Sequence, residues 1–360
     1  MTINTEITIL GAGIIGLLTA KEFVDAGCSV TLIDKSLSGK ESSWAGGGIL
    51  LPLYPWRQPE AISSLVMESI KKYPLLSSEL FKSTQIDPEW YDCGLLICKN
   101  PDFEVASGWC YKHQVVFNKA DNSFFGHLNT QVVEPLWLPT IAQARNPRLL
   151  KSLKAYLLDV GVTFIENCIV NRCEVKNKQI NTIMTNQGSF LINQLVLCAG
   201  AWTARLVNDL FSGLKNVEIS PVKGQMLLFD AKPDVLPYMV LDNDHYLIPR
   251  RDGKILVGSS VENCGFDKKT SIETKEKLYT FATDLFPALN DFPVINHWAG
   301  LRPGTKQGTP YISMHPEIKN LSINAGHFRN GLVMGPASAQ LMVDLILNRQ
   351  PSVAPEPYQF

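Results

Sequence analysis

The sequence has almost no excess charge of either sign: 33 Lys and Arg stand against 34 Asp and Glu, a formal net charge of -1. That balance points to neither nucleic acid nor an anionic membrane surface as a partner. Cys-x-x-Cys pairs are also missing. The eight cysteines (Cys28, Cys93, Cys98, Cys110, Cys168, Cys173, Cys198 and Cys264) are scattered, and the six histidines pair neither at helical spacing nor with cysteines. No metal site is expected, and a reducing cytoplasm is the expected location. Residues 1–20 hold no Lys or Arg, and three glycines break their apolar run. Neither a signal peptide nor a transmembrane helix is expected there. No internal repeat or low-complexity segment is visible.

What is present is a chain of 360 residues, 45% hydrophobic, enough for a sizeable core and two structural domains. Near its start a short apolar strand, from Ile7 to Leu10, runs straight into Gly11-Ala12-Gly13-Ile14-Ile15-Gly16. Gly-x-Gly-x-x-Gly between a strand and a helix is a dinucleotide cradle. Its glycines serve a tight turn, close approach of backbone to a pyrophosphate, and packing of the helix on the strand. Ile14, Leu17, Leu18 and Val24 give that helix an apolar face, Gly27 is placed to end it, and Val30 to Ile33 forms a second strand closing on Asp34. An acid about 20 residues past the glycines suits the ribose hydroxyls of an adenine nucleotide and disfavours a 2′-phosphate.

Farther on, Trp44-Ala45-Gly46-Gly47-Gly48-Ile49 brings backbone close to something, either the rest of a cofactor or, as a plain surface loop, nothing. Residues 59–81 read as one or two helices, 86–100 as strand-like around Gly94, and the stretch to Pro139 as short strands and turns. Asn146-Pro147 reads as a helix cap followed by proline at the first helical position, with helical spacing from Leu149 to Val160. A hairpin surrounds Asn186-Gln187-Gly188, and the buried strand Leu195 to Cys198 ends on Gly200 against the cofactor. The last strand, Leu321 to Ala325, leads into a helix expected from Pro336. The fold class is therefore α/β: a Rossmann-like nucleotide domain assembled from three segments (1–82, 145–220 and 321–360) plus a mainly antiparallel substrate domain (83–144 and 221–320). Such interruption argues against a simple NAD dehydrogenase, whose nucleotide domain usually runs continuously.

Five stretches in order, the Gly11 turn, Ser42-Ser43-Trp44-Ala45-Gly46-Gly47-Gly48, Pro221-Val222-Lys223-Gly224-Gln225-Met226, Gly300-Leu301-Arg302-Pro303-Gly304-Thr305 and Gly326-His327-Phe328-Arg329-Asn330-Gly331, carry a resemblance covering essentially the whole chain. The chain resembles the flavin-dependent amino-acid oxidases of the D-amino-acid oxidase and sarcosine oxidase group, most of all the glycine oxidases of the thiamine pathway. The resemblance implies FAD contacts at Ile14 and Ile15, at Asp34 and Lys35, at Ser42 and Ser43, at Gly47, Gly48 and Ile49, and at Val170. It further implies that His327, Phe328, Arg329, Asn330, Gly331, Leu332 and Val333 hold the flavin pyrimidine, with a helix N-terminus stabilising charge on the reduced ring.

Arg302 matches the family's carboxylate-binding arginine, a role its planar charged fork suits, unless it serves an internal salt bridge. Arg329 and Tyr246 look like further substrate contacts, although Tyr246 could equally be a core aromatic. Glu262 could meet the substrate amine or be an exposed loop acid. Gly308-Thr309-Pro310-Tyr311 carries no cysteine where some relatives attach FAD, so non-covalent FAD is expected. The implied reaction passes a hydride from Cα of a small amino acid to the flavin, and molecular oxygen then gives hydrogen peroxide. The alternatives are a dehydrogenase passing electrons to a quinone, and a nucleotide-binding sensor without turnover. The resemblance also suggests a homo-oligomer, a tetramer.

Overall fold

In the computed structural model, which describes residues 5–211 and 213–360, two large sheets share the chain. Residues 1–4, part of the stretch on which no leader was expected, lie outside the described residues. The six-stranded sheet has the order Tyr311–Met314, Leu321–Ala325, Gln194–Leu197, Ile7–Leu10, Val30–Ile33 and Thr163–Ile165. All neighbours are parallel except the Tyr311–Met314 edge. Side chains alternate between its faces, and both faces are covered. Ile9, Leu32 and Val196 enter a core with the helices Ile14–Asp25, Glu60–Thr84, Asn146–Asp159 and Gly331–Ile346. Leu10, Ile33, Leu195 and Leu197 pack instead with Ile180, Ile183 and Phe190 of a three-stranded meander, Val170–Lys176, Gln179–Thr185 and Gly188–Leu191.

The eight-stranded sheet runs Val294–Thr305, Ile219–Phe229, Ile255–Gly258, His245–Pro249, Met239–Asp242, Leu95–Ile97, Leu136–Leu138 and Asn118–Lys119. It is antiparallel except where Met239–Asp242 meets Leu95–Ile97. One face packs on the helix Ile272–Leu285 through Leu227, Val257 and Leu278. The other carries Met226, Tyr246 and Ile248 against Leu51 and Tyr54. No helix among the described residues is long and apolar enough to cross a membrane.

Several expectations need correction. The C-terminal helix opens at Gly331, not Pro336, and the proline lies inside it. Pro336 has no N–H for the carbonyl four residues back, that of Leu332, and the buried Tyr73 hydroxyl donates to that carbonyl instead at 2.5 Å. The stretch 59–81, read as one or two helices, holds as one: Glu60–Thr84, with Pro59 at its cap and Pro74 inside it. The stretch expected as strands and turns contains the helix Phe103–His113, whose inward face is only Ala106, Trp109 and Cys110. Asn146 is not the cap of its helix; Arg145 holds that position, and Asn146 Nδ2 donates to the Ser43 carbonyl at 2.7 Å.

Candidate active site

A cavity of about 610 Å³ runs from the Gly11 turn to Arg302 and Tyr246, lined from both large sheets. At its first end Gly11 (φ +105°) receives no side chain because a Cβ would press on the Cys198 carbonyl. A Cβ on Gly16 would overlap the Gly11 carbonyl, so glycine there lets the helix Ile14–Asp25 lie on the strand. Gly13 at the cap position has no side chain to satisfy that helix, and its N-terminus borders the cavity, where the remaining backbone N–H groups and the helix dipole suit an anion. Ser43 Oγ accepts from Ile14 N–H at 2.9 Å, which fixes the second glycine-rich stretch beside the first.

Asp34 accepts from Ala12 N–H at 2.7 Å and Ser36 N–H at 2.9 Å. Burial nevertheless raises its pKa, with those hydrogen bonds opposing. Oδ1 also accepts from the Ser36 hydroxyl at 3.1 Å, so Oδ2, bonded only to Ala12 N–H, keeps the lone pair for a sugar hydroxyl. Lys35 Nζ sits 3.3 Å from the centre of the Trp202 ring and 3.4 Å from Glu41, and burial lowers its pKa.

The middle of the cavity is bounded by Gly46, Gly47 and Gly48. Gly48 has φ +90°, and a Cβ there would collide with the Ala144 carbonyl; a Cβ on Gly47 would meet Tyr246 and Ile248. Backbone is thus the only wall that fits. Opposite, the turn Gly326 to Asn330 is tied to the strand of Arg302 by Phe328 N–H donating to Pro303 O at 2.9 Å, and it feeds the uncapped N-terminus of Gly331–Ile346.

The far end is assembled around Arg302. On strand Val294–Thr305 it pairs with Val222, and Gly224 opposes Gly300. The guanidinium lies over Gly224, where any Cβ would occupy its space. It donates to Ser259 Oγ at 2.6 Å and Ser260 O at 3.1 Å, and among the described residues no carboxylate pairs with it. Burial lowers its pKa, and the nearby Arg329 adds to that. The salt-bridge alternative for Arg302 therefore does not hold. Tyr246 is buried, with its hydroxyl 3.6 Å from Met226 Sδ. His327 is buried too, and burial pushes its pKa down to about 3, so the ring is neutral. Glu262 is not in the cavity wall. Burial alone would raise its pKa, but hydrogen bonds from Ser260, Lys223 (2.9 Å) and Gln225 (2.8 Å) hold it below the usual range. It does not line the cavity, and its partners Lys223 and Gln225 make it a paired acid rather than a free one.

Of the residues expected in the site, Gly16 and Val333 stand behind the wall, one against Gly11 and one in the helical core. The others line the cavity together. Sequence reasoning missed Asn146, hidden behind its reading as a cap, and Trp202, which directly follows the Gly200 turn. Met226 stood only as the end of the Pro221 stretch with no role of its own, and Ser259 and the buried Arg250 were missed because no local spacing announces them. The set fits FAD: two helix N-termini bordering the cavity, a ribose acid and a glycine-walled middle, with the Arg302 guanidinium left at the end for a substrate.

A family model described as "DAO: FAD dependent oxidoreductase" matches residues 6–345. The chain is 41% identical over 361 residues to a glycine oxidase of Pseudomonas putida, covering 99% of this chain and 98% of the relative. A glycine oxidase of Pseudomonas aeruginosa is 40% identical with the same coverage. The crystal structure of glycine oxidase from Geobacillus kaustophilus superposes with a TM-score of 0.90 at 25% identity, covering 99% of this chain and 98% of that one.

Proposed function

The chain belongs to the FAD dependent oxidoreductase family, and from that premise we propose that it is an amino-acid oxidase acting on glycine and on other small amino or N-methylamino acids. The observation that carries this reading is Arg302, a guanidinium at the end of the cavity with no carboxylate paired to it among the described residues. A planar fork without a counter-ion is complementary to an α-carboxylate, which would make two parallel charge-assisted hydrogen bonds. Arg329 adds a second positive charge, and the Tyr246 hydroxyl offers a donor in place of its weak contact with Met226.

Non-covalent FAD would be held by the Gly11 to Ile15 turn and helix N-terminus at the pyrophosphate, by Asp34 and Lys35 at the ribose, and by Gly47 to Ile49 and the His327 to Leu332 turn at the ring. When bound, FAD supplies the acceptor for the hydride leaving Cα and passes the electrons to dioxygen, giving hydrogen peroxide. This chain's residues bind and orient. Arg302 fixes the carboxylate and so sets where Cα lies. The paired positive charge of Arg302 and Arg329 disfavours an ammonium group nearby, so the substrate amine is held in its neutral, reactive form without a protein base. The neutral His327 ring supplies no opposing charge. An imine results, and water converts it to a keto acid and ammonia.

The test is anaerobic titration of the yellow holoprotein with glycine, followed by air. Bleaching and then one peroxide per flavin supports the oxidase. Bleaching with no peroxide but rapid dye reduction would make it a dehydrogenase, and no bleaching by any small amino acid would remove the substrate assignment.

A further inference from the structure

A second buried arginine, Arg250, lies outside the cavity wall and has no part in the reading above. It is 7% exposed, and its guanidinium donates from Nη2 to the Gly47 carbonyl at 2.6 Å and from Nη1 to Gln143 Oε1 at 2.5 Å. Among the described residues no carboxylate pairs with it: the nearby Glu89 is engaged by Arg145 and Arg148 at 3.2 and 3.1 Å. Burying a cation without a counter-ion is unfavourable, and neutral donors could have held the Gly47 carbonyl and the more distant Ala144 carbonyl, at 2.6 and 3.4 Å. The charge therefore needs a use beyond scaffolding.

The Gly47 carbonyl and the Gly48 N–H belong to one peptide unit, and in a trans peptide they point in opposite directions. With the carbonyl turned to Arg250, the N–H is turned away from it. Gly48 lines the cavity, and its N–H has no acceptor among the described residues. Its φ of +90° is fixed from the other side by Ala144 N–H donating to Gly48 O at 2.9 Å. A charge-assisted hydrogen bond on the carbonyl polarises the peptide and makes its N–H a stronger donor.

The geometry points to Arg250 as a positioning residue that acts through the Gly47–Gly48 peptide, aiming a polarised N–H at the bound flavin ring and favouring its reduced, more negatively charged form. This rests on FAD occupying the cavity. Preorganised donors and a fixed charge in a dry site stabilise charge as it develops. Arg250→Lys keeps the charge and loses the fork, whereas Arg250→Met loses both. Arg250→Gln keeps one donor without charge and keeps the question open if the Met variant does not fold.

The experiment measures the two-electron reduction potential of the FAD-loaded variants by equilibration with a reference dye under a chemical reductant, so no substrate enters. FAD affinity and melting temperature are recorded on the same samples. The expected result is a potential lowered by about 30 mV or more in Arg250→Met and Arg250→Gln, tenfold in the equilibrium, and largely restored in Arg250→Lys. Unchanged potentials in neutral variants that fold and hold FAD, even with a lower melting temperature, would reduce Arg250 to scaffolding and leave the oxidase reading intact. Failure of the unaltered protein to bind FAD would overturn both.

Discussion

The two ends of the cavity are built on different plans. The nucleotide end is led by one continuous run, Ile7 to Asp34, in which Gly16 is set by the Gly11 carbonyl five residues away and Gly11 by the Cys198 carbonyl just past the neighbouring strand. The reacting end gathers Gly224, Tyr246, Ser259, Arg302 and Arg329 from four separate strands of the eight-stranded sheet or their ends and a turn that leaves the other sheet. Steric demands made within one βαβ unit leave a fixed spacing in the sequence. Electrostatic demands met across the fold leave none, because a guanidinium without a counter-ion is defined by what is absent around it in space.

The first way to sharpen this contrast is to remove charge from the reacting end alone. Arg302→Met should lower kcat/KM for glycine by about a thousandfold, roughly 4 kcal/mol, in the range for truncating one partner of an enclosed charge pair. FAD affinity should stay within a factor of two. Steady-state kinetics beside FAD titration checks it, and equal losses in both would mean that the ends are not separable. Gly224→Ala is the next smaller change. A methyl in the space of the Arg302 guanidinium should raise KM by about tenfold to a hundredfold, since displacing the fork forfeits 1.5 to 3 kcal/mol of charged hydrogen bonding. Unaltered KM would show that the fork can bind carboxylate elsewhere.

The same contrast explains what was legible. The strands Ile7–Leu10, Val30–Ile33, Gln194–Leu197 and Leu321–Ala325 announce themselves as apolar runs because they are covered on both faces. The helix Phe103–His113 did not, because three inward residues and Gly108 make no sustained period. Pro336 misled because proline usually opens a helix; only the tertiary structure brings Tyr73 to the Leu332 carbonyl it leaves unpaired. Arg302 and Arg329 were found through resemblance, not spacing. Arg250 and Asn146 were missed because their partners, Gly47 and Ser43, are 203 and 103 residues away.

A smaller effect is expected at the nucleotide end. Asp34→Asn removes a charged acceptor while keeping its shape, and should weaken FAD binding by about tenfold, near 1.4 kcal/mol. At saturating FAD, kcat should be unchanged, measured by peroxide release. A fall in kcat there would mean that Asp34 reaches the reaction through the Ala12 and Ser36 hydrogen bonds it accepts.

The smallest difference lies in acid. His327, near the reacting end, is held at a pKa of about 3 by burial, against about 6.5 for an unfolded histidine. Above pH 6.5 both states are neutral and His327 adds no pH dependence. Below it the unfolded chain takes a proton that the folded one refuses, so stability is lost as pH falls from 6.5 toward 3. Asp34 has the opposite sign: its folded pKa is raised, so the folded state takes its proton first and gains stability as pH falls through that range. Guanidinium unfolding at pH 7 and pH 6 should therefore show His327→Asn losing less stability than the unaltered protein, by no more than about 1 kcal/mol. At lower pH Asp34→Asn should lose more than the unaltered protein, because it lacks the compensating uptake. Parallel acid profiles for all three proteins would mean that water or a proton reaches His327 in the folded state, and that the reacting end is not as dry as its role requires.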